Sequence, residues 1–488
     1  MTLSAGLEVA RSGLSVTSDQ TAVVSRNVAN AGNPLASRKI ANVVTSPSGG
    51  VALASITRAT NQALYENLLA ATSVASAQQA IVAALDQLDA TINDPELDAS
   101  PAALVAALAD AIQQYAAGPH DVNRGQSAIA AASRLAQALN GATQTVQDVR
   151  AQADADIAGS VDRLNTLLAQ FETINTEIIK GTRSGADITD HLDARDRTLA
   201  AISEEVGVRT ITRADNDMVV FTDSGVTLFE TRARAVTFTP TLIYSAATAG
   251  SPVYVDGVPI TGSGGMAIGS GRLTGLTAIR DDVAVTYQRQ LDEIARGLIE
   301  VFAESDQSAV PALPDAVGLF TYPGAPAISA SGVAIDGLAG TISVSASVDP
   351  LQGGDPALLR DGGVSGAAYV YNSSGAAGFT DRLQQLLDRF TQPRAFDPAS
   401  SIDPSATVAG FGSGSVAWLQ EARRTAGEEA EYRTTLLERS AEALSKDTGV
   451  NLDEQMTRLL ELERSYQASS KLISTIDSML GALIAAIR

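Results

Sequence analysis

The sequence predicts a mainly α-helical protein with an inserted all-β region. The expected shape is a discontinuous, rod-like multidomain chain. Its N- and C-terminal helices pair in a coiled-coil-like layer, a helical bundle forms the body, and a β domain lies at the outer end. Three observations predict this. Apolar residues at both chain ends step by three and four, the period of coiled coils. The patterning along the chain runs helix, strands, helix, strands, helix, which favours separate layers over a parallel α/β sheet. Hydrophobic residues make up 45% of the chain but aromatics only 4%, a composition suited to long helices packed closely side by side. At 488 residues the chain is too long for one simple core.

The N-terminal seam is Leu3, Leu7, Ala10, Leu14, Thr17, Thr21, Val24, Val28 and Ala31. Gly6 and Gly13 weaken this helix in isolation. Gly32, Asn33 and Pro34 end it, because Gly accepts a left-handed cap and Pro cannot continue a helix. A β-leaning stretch follows over 39–57, with a turn at Ser46-Pro47-Ser48-Gly49-Gly50. The helical period returns from Asn61 and stops at Asn93-Asp94-Pro95. A short Ala-rich helix over 101–117 and a very long one over 123–180 come next, the latter broken by Gly181 to Gly185.

From Val206 the period changes to alternation around Asp215-Asn216-Asp217 and Asp223-Ser224-Gly225, the pattern of a strand meander. A helix is expected over 272–304, a second strand-like, Gly/Pro-rich stretch over 309–363, and helices from Gly375 onward. The last helix carries a second seam: Leu459, Leu462, Tyr466, Ser469, Ile473, Ile476, Leu480, Leu483 and Ile487. The expected division is a terminal layer of 1–35 with 450–488 and a bundle of 36–205, 268–308 and 364–449. An outer β domain of 206–267 with 309–363 completes it.

Net charge is −21 and no run of Lys and Arg interrupts it. Nucleic acid is excluded as a partner, since phosphate binding needs clustered cations. There are no cysteines, so disulfides, thiolate metal sites and Cys nucleophiles are ruled out. No basic region followed by an apolar one opens the chain. The longest apolar run, Met479 to Ile487, is about half a bilayer span, and no membrane partner is expected.

Several blocks together resemble bacterial flagellar axial proteins of the rod, hook and hook-associated group. In "SRNVANAGNP", Asn27, Ala29, Asn30, Asn33 and Pro34 match the N-terminal signature, although the expected Thr is absent and "LAS" replaces Gly-Tyr. "DITDHLDARDRTLAAISEEVGV" is similar to a block of the hook-associated protein 1 family, and "GSGRLTGLTAIRDDVAVTYQRQLDEIARGLIEVF" to the helix that follows its β domain. The tail is the most specific block: Gly449, Val450, Asn451, Leu452, Asp453 and Glu454 open it and Tyr466-Gln467-Ala468 continues it. The resemblance implies a structural component of the hook–filament junction, with no enzymatic activity and no cofactor. It implies export through the flagellar type III apparatus, an extracellular location, and self-association through the terminal helices. The implied partners are hook protein, a second junction protein (hook-associated protein 3) and a cytoplasmic export chaperone. The competing readings are another axial protein, such as hook protein or flagellin, and a secreted adhesin or surface hydrolase.

Sites of chemistry are sparse. The two histidines are His120 and His191, and the latter lies among Asp187, Asp190, Asp193 and Asp196. Spacing by three stacks the aspartates on one helix face and turns His191 away, so a divalent cation site is not expected. "DTGVNLDE" lacks the closing acid of a calcium loop, and "GSGGMAIGSG" lacks the Lys of a phosphate loop. No Ser stands in a nucleophile elbow. Trp418, the single tryptophan, is expected in the core.

Overall fold

The computed structural model describes residues 3–33, 35–46, 49–92, 100–311, 313–325, 327–328 and 332–487, the side chain of Ile487 excepted. Pro34, the Pro47-Ser48 turn and the Asn93-Asp94-Pro95 stop lie outside the described residues.

Helix α1 (Leu3–Asn30) leads into a hairpin of β1 (Lys39–Thr45) and β2 (Val51–Arg58). Helices α2 (Gln62–Ile92), α3 (Pro101–Ala116), α4 (Val122–Ser184) and α5 (Thr189–Glu205) follow. At 63 residues, α4 is roughly 95 Å long and is the spine of the body. Its ends are set locally. The Asp121 carboxylate accepts from the Asn123 N–H, and Gly185 closes the helix in the left-handed conformation.

An antiparallel sheet of β3 (Val208–Thr212), β4 (Met218–Thr222), β5 (Thr227–Glu230) and β6 (Arg232–Ala233) comes next. A smaller sheet joins β7 (Val236–Thr237), β8 (Tyr254–Val255) and β9 (Val258–Pro259). The expected helix over 272–304 is α6 (Arg272–Ala278) and α7 (Ala284–Val301) joined by a π-turn at Ile279–Val283. Then follow β10 (Phe320–Thr321), β11 (Ser343–Val344), α8 (Leu358–Asp361), α9 (Asp381–Thr391), β12 (Arg394–Ala395) and β13 (Ser405–Ala406). Two long helices, α10 (Val408–Thr448) and α11 (Leu452–Ile487), complete the described chain.

Two hydrophobic cores lie along α4. One gathers Leu85, Val105, Leu139, Leu298, Phe302, Phe390 and Phe411 from α2, α3, α4, α7, α9 and α10. The other gathers Leu164, Phe171, Leu199, Val220, Phe229, Val255 and Leu273 beneath the strands. They meet where Ala153 belongs to the first and Ile157 to the second.

The expected single outer β domain of 206–267 with 309–363 meets a different packing. The strands over 208–259 cover the second core, whereas Val317, Leu319, Phe320, Leu338, Ile342 and Val348 pack into the first. The 309–363 stretch holds two short strands and is secured by hydrogen bonds to buried acids instead of a sheet. Asp292 accepts from the Gly337 and Ala339 N–H groups, both at 2.9 Å, and Glu304 accepts from those of Val364 and Ser365.

Trp418 is half-buried against the first core and stacks on Tyr287, with ring centroids 6.3 Å apart. Helix α2 is long and apolar enough to cross a membrane by length and composition. Here, however, it is sandwiched against α10, α6, α5 and α4, so its apolar character is spent on packing.

Candidate assembly interface

Helices α1 and α11 pack along their length. A Cβ at Gly6 would meet Ile476 Cδ1 at 3.5 Å and one at Gly13 would meet Ser469 Oγ at 3.4 Å, while Asn27 hydrogen-bonds Gln455. Each step of seven up α1 is a step of seven down α11, so the pair is antiparallel and keeps one register from residue 6 to residue 27. That constancy is the consequence of two seams of the same period. The two glycines face the partner helix directly.

On α1, Ala10, Thr17 and Val24 are buried and Leu3, Leu7, Leu14, Thr21 and Val28 half-buried. Val16 and Val23, outside the expected seam, are buried as well. On α11, Leu462 and Ile476 are buried, and Leu459, Ile473 and Leu480 half-buried. Tyr466 and Leu483 depart from the expectation of a buried seam, at 47% and 53% exposed. In the register above Tyr466 lies level with Val16, whereas Leu483 lies past Leu3, the first residue of α1, and has no α1 residue opposite it. The side chain of Ile487 lies outside the described residues.

The pair is fastened to the body at one end by polar groups. Asn27 is 2% exposed. Its Nδ2 donates to Lys39 O and to Gln455 Oε1, both at 2.9 Å, and its Oδ1 accepts from the Lys39 N–H at 2.9 Å. One side chain therefore joins α1, the first residue of β1 and the first turn of α11. A buried amide with every bond made fixes register, because any slip strands it unpaired. Asn30 Nδ2 donates to Arg26 O, and Asn33 Oδ1 accepts from the Leu35 N–H, which shapes the turn out of α1.

The tail motif has equally local reasons. A Cβ on Gly449 would lie 2.3 Å from Ser445 O, so only glycine fits between α10 and α11. Asn451 Oδ1 accepts from the Asp453 and Glu454 N–H groups, capping α11. Asp453 and Glu454 then stand in the first turn, where the helix dipole favours acids. Glu454 also meets Arg38 at 3.1 Å, and the Arg38 N–H donates to Thr448 O at 2.7 Å. Leu452 is half exposed.

The acidic block 187–196 anchors the same junction. Asp190, Asp193 and Asp196 form one face of α5, Asp187 stands just before it, and together they take the cations of the N-terminal segment. Arg26 meets Asp187 at 3.0 Å, buried Lys39 meets Asp190 at 2.7 Å and Asp193 at 3.2 Å, and Arg58 meets Asp196 at 2.6 Å. Ser37 Oγ donates to Asp193 at 2.5 Å. Burial pushes the Asp196 carboxyl up, and Arg58 offsets part of that. Burial also acts to raise Asp187, but hydrogen bonds from Thr189 and Arg26 outweigh it and hold the group below its ordinary range. His191 is exposed and faces away from this cluster. Lys39, Arg58 and Gln455 were not singled out from sequence. The spacing of the aspartates by three was the available signal, since a one-faced acidic stripe requires cations opposite it.

A family model described as the flagellar hook-associated protein FlgK helical domain matches residues 85–313. A second, the flagellar basal body rod FlgEFG protein C-terminal model, matches 445–486, which is the Gly449 turn and α11. Comparison with curated proteins finds no match. Among solved structures, the flagellar hook junction protein FlgK from Burkholderia pseudomallei is similar at 14% identity and a TM-score of 0.56. The match covers 78% of this chain and 99% of that one, a shared fold at low identity. The body and the α11 block, matched independently and in the order seen along the fold, lead to one assignment. Over 85–313 the chain carries the helical domain of the flagellar hook-associated protein FlgK and over 445–486 the rod-protein C-terminal block, and its part in the flagellum is structural, at the junction between hook and filament.

Proposed function

We propose that the chain self-assembles at that junction through its terminal helix pair, after passage through the flagellar type III apparatus, and that it has no catalytic role. The assembly surface is the seam of Leu3, Leu7, Leu14, Val24, Val28, Leu459, Leu462, Tyr466, Ile473, Ile476, Leu480, Leu483 and Ile487. Residues Asn27, Asn30, Asn33, Gly449, Asn451, Leu452, Asp453 and Glu454 set the angle at which the pair leaves the body. Its neighbours are further copies of itself, hook protein on one side and hook-associated protein 3 on the other. A cytoplasmic chaperone covers the apolar C-terminal helix before export.

The observation that carries this reading is the incomplete burial of α11. Leu460, Leu472, Met479, Leu483 and Ile484 are each more than half exposed on a single helix. A monomer rarely leaves so much apolar surface uncovered along one helix unless a partner takes it up. The test is in-frame deletion of the gene, with electron microscopy of the cells and assay of flagellin in the medium. Hooks without filaments and shed flagellin are expected. Normal filaments in the deletion strain would refute the reading.

A further inference from the structure

Two apolar features flank the α1–α11 seam and match each other, though they lie at different heights on it. The first is a groove with a volume of about 530 Å³, floored by Thr21, Ala22 and Leu459 and walled by Tyr466. Its one charged lining residue is Glu463. The second is a strip on the far half of α11, formed by Leu472, Met479, Leu483 and Ile484, exposed by 52%, 52%, 53% and 62%. From Ser478 to Ile487 that half of the helix carries no charge. Both features continue the seam already described: Leu459 belongs to it, and Met479 and Leu483 flank Leu480.

We propose that the strip of one copy docks in this groove of a second copy, head to tail; the proposal rests on the assembly role above. Three observations select that occupant. Helix α11 is continuous from Leu452 to Ile487, so strip and groove are held about 25 Å apart and a chain cannot fill its own groove. The groove on the other side of the pair is lined by Arg38, Lys39, Asp453, Glu454, Arg458 and Glu461. An uncharged strip seated there would desolvate those groups without pairing them, whereas the Thr21–Tyr466 groove asks for no such sacrifice. The strip and groove are also different surfaces, so the contact is heterologous. Each docked copy still offers one free groove and one free strip. Such a contact does not stop at a dimer. It propagates into a ring or a helical array.

The chain contains no cysteine, which makes cross-linking clean. Hook–filament particles are isolated from cells making the full-length chain with Ser18→Cys and Ile484→Cys together, then oxidised. A non-reducing gel should show a ladder of dimers and higher multiples, and each single variant should remain monomeric. Dimers from either single variant would mean a like-to-like contact and overturn the proposal. So would a double variant that stays monomeric while present in the particles. Particles that lack the unmodified chain altogether would overturn the junction role, and this proposal with it. As an independent readout, Ile484→Asp should lower the amount of chain in the particles at least tenfold while leaving the thermal midpoint of the soluble chain unchanged. An undiminished amount would sink the docking.

Discussion

Helices α7 and α11 show how differently two parts of one chain treat their side chains. Fourteen of the 18 residues of α7 are buried, including Gln290, Asp292, Glu293 and Arg296. Among the described residues of α11, which has 36, only Gln455, Leu462 and Ile476 are buried. The first is packed to completion by its own chain, down to paired charges: Arg296 meets Glu293 at 2.7 Å. The second, on the assembly role proposed above, is half of an interface. The difference would then separate what must fold alone from what other subunits complete, and it predicts that substitutions in the two regions fail in different assays.

The largest effect is expected in the body. Phe302 is 1% exposed and meets Phe320 and Phe390 edge-on, with centroids at 5.3 and 5.5 Å. Phe302→Ala loses burial and opens a cavity, at a cost of about 3–5 kcal/mol. The midpoint of chemical denaturation should fall accordingly, while chain that does fold should still enter the junction. Normal stability in this variant would mean that the first core repacks freely, which would dissolve the contrast with α11.

Next comes a pH effect that belongs to the body alone. Burial raises the Asp292 carboxyl from its ordinary 3.8 to about 7, against the pull of hydrogen bonds from Ala339, Gly337 and Gln288, and nearby Asp336 raises it further. The folded state therefore holds this proton more tightly than the unfolded state. Its contribution to stability is complete below about pH 4 and is lost as pH rises through about 7. The shift corresponds to roughly 4 kcal/mol at most. Denaturation midpoints followed from pH 4 to 8 should carry this fall, and Asp292→Asn should remove it. The slope surviving in Asp292→Asn would assign the effect to another group.

Ile476→Asp places a carboxylate in the seam opposite Gly6 and should destabilise the pairing of α1 with α11 by about 3 kcal/mol. Hydrogen exchange should speed up over 3–30 and 452–487 and stay slow in α7. Incorporation into the junction should fail. Exchange that rises equally in both regions would show that pair and body fold as one unit.

Much of this organisation was legible in the sequence, for a physical reason. The terminal helices are periodic over many turns, and a three–four step has few other solutions in a soluble chain. The N-terminal signature was legible as a resemblance, and its cause emerged only with the fold: Asn27 is buried because β1 and α11 converge on it. The 309–363 stretch was misjudged because its Gly and Pro turns look like those of a sheet. What holds it down is Asp292 and Glu304, acids remote in sequence with no periodic signature. The π-turn at Ile279–Val283 was equally silent, since one extra residue in a turn barely disturbs an apolar pattern. Tyr466 and Leu483 fit the seam by spacing and depart from it in burial, because spacing assigns a helix face and says nothing of where along it the partner helix ends or how it is covered.

The smallest effect is the most direct probe of why the pair is left unfinished. A Cβ at Gly6 would touch Ile476 at 3.5 Å, an ordinary contact, so alanine fits without displacement. Gly6→Ala should therefore favour the helix by up to about 1 kcal/mol through the unfolded state alone. The glycine is then not required by packing. Its effect is to keep α1 easily unfolded, which would suit the export route proposed above. Slower exchange over 3–30 in the free chain, with slower export in cells, is the expected pair of results. Slower exchange with unchanged export would show that ordering of α1 does not limit passage. Unchanged exchange would mean that α1 is already held by α11 in the free chain, and the difference between body and terminal pair would then be one of burial and not of order.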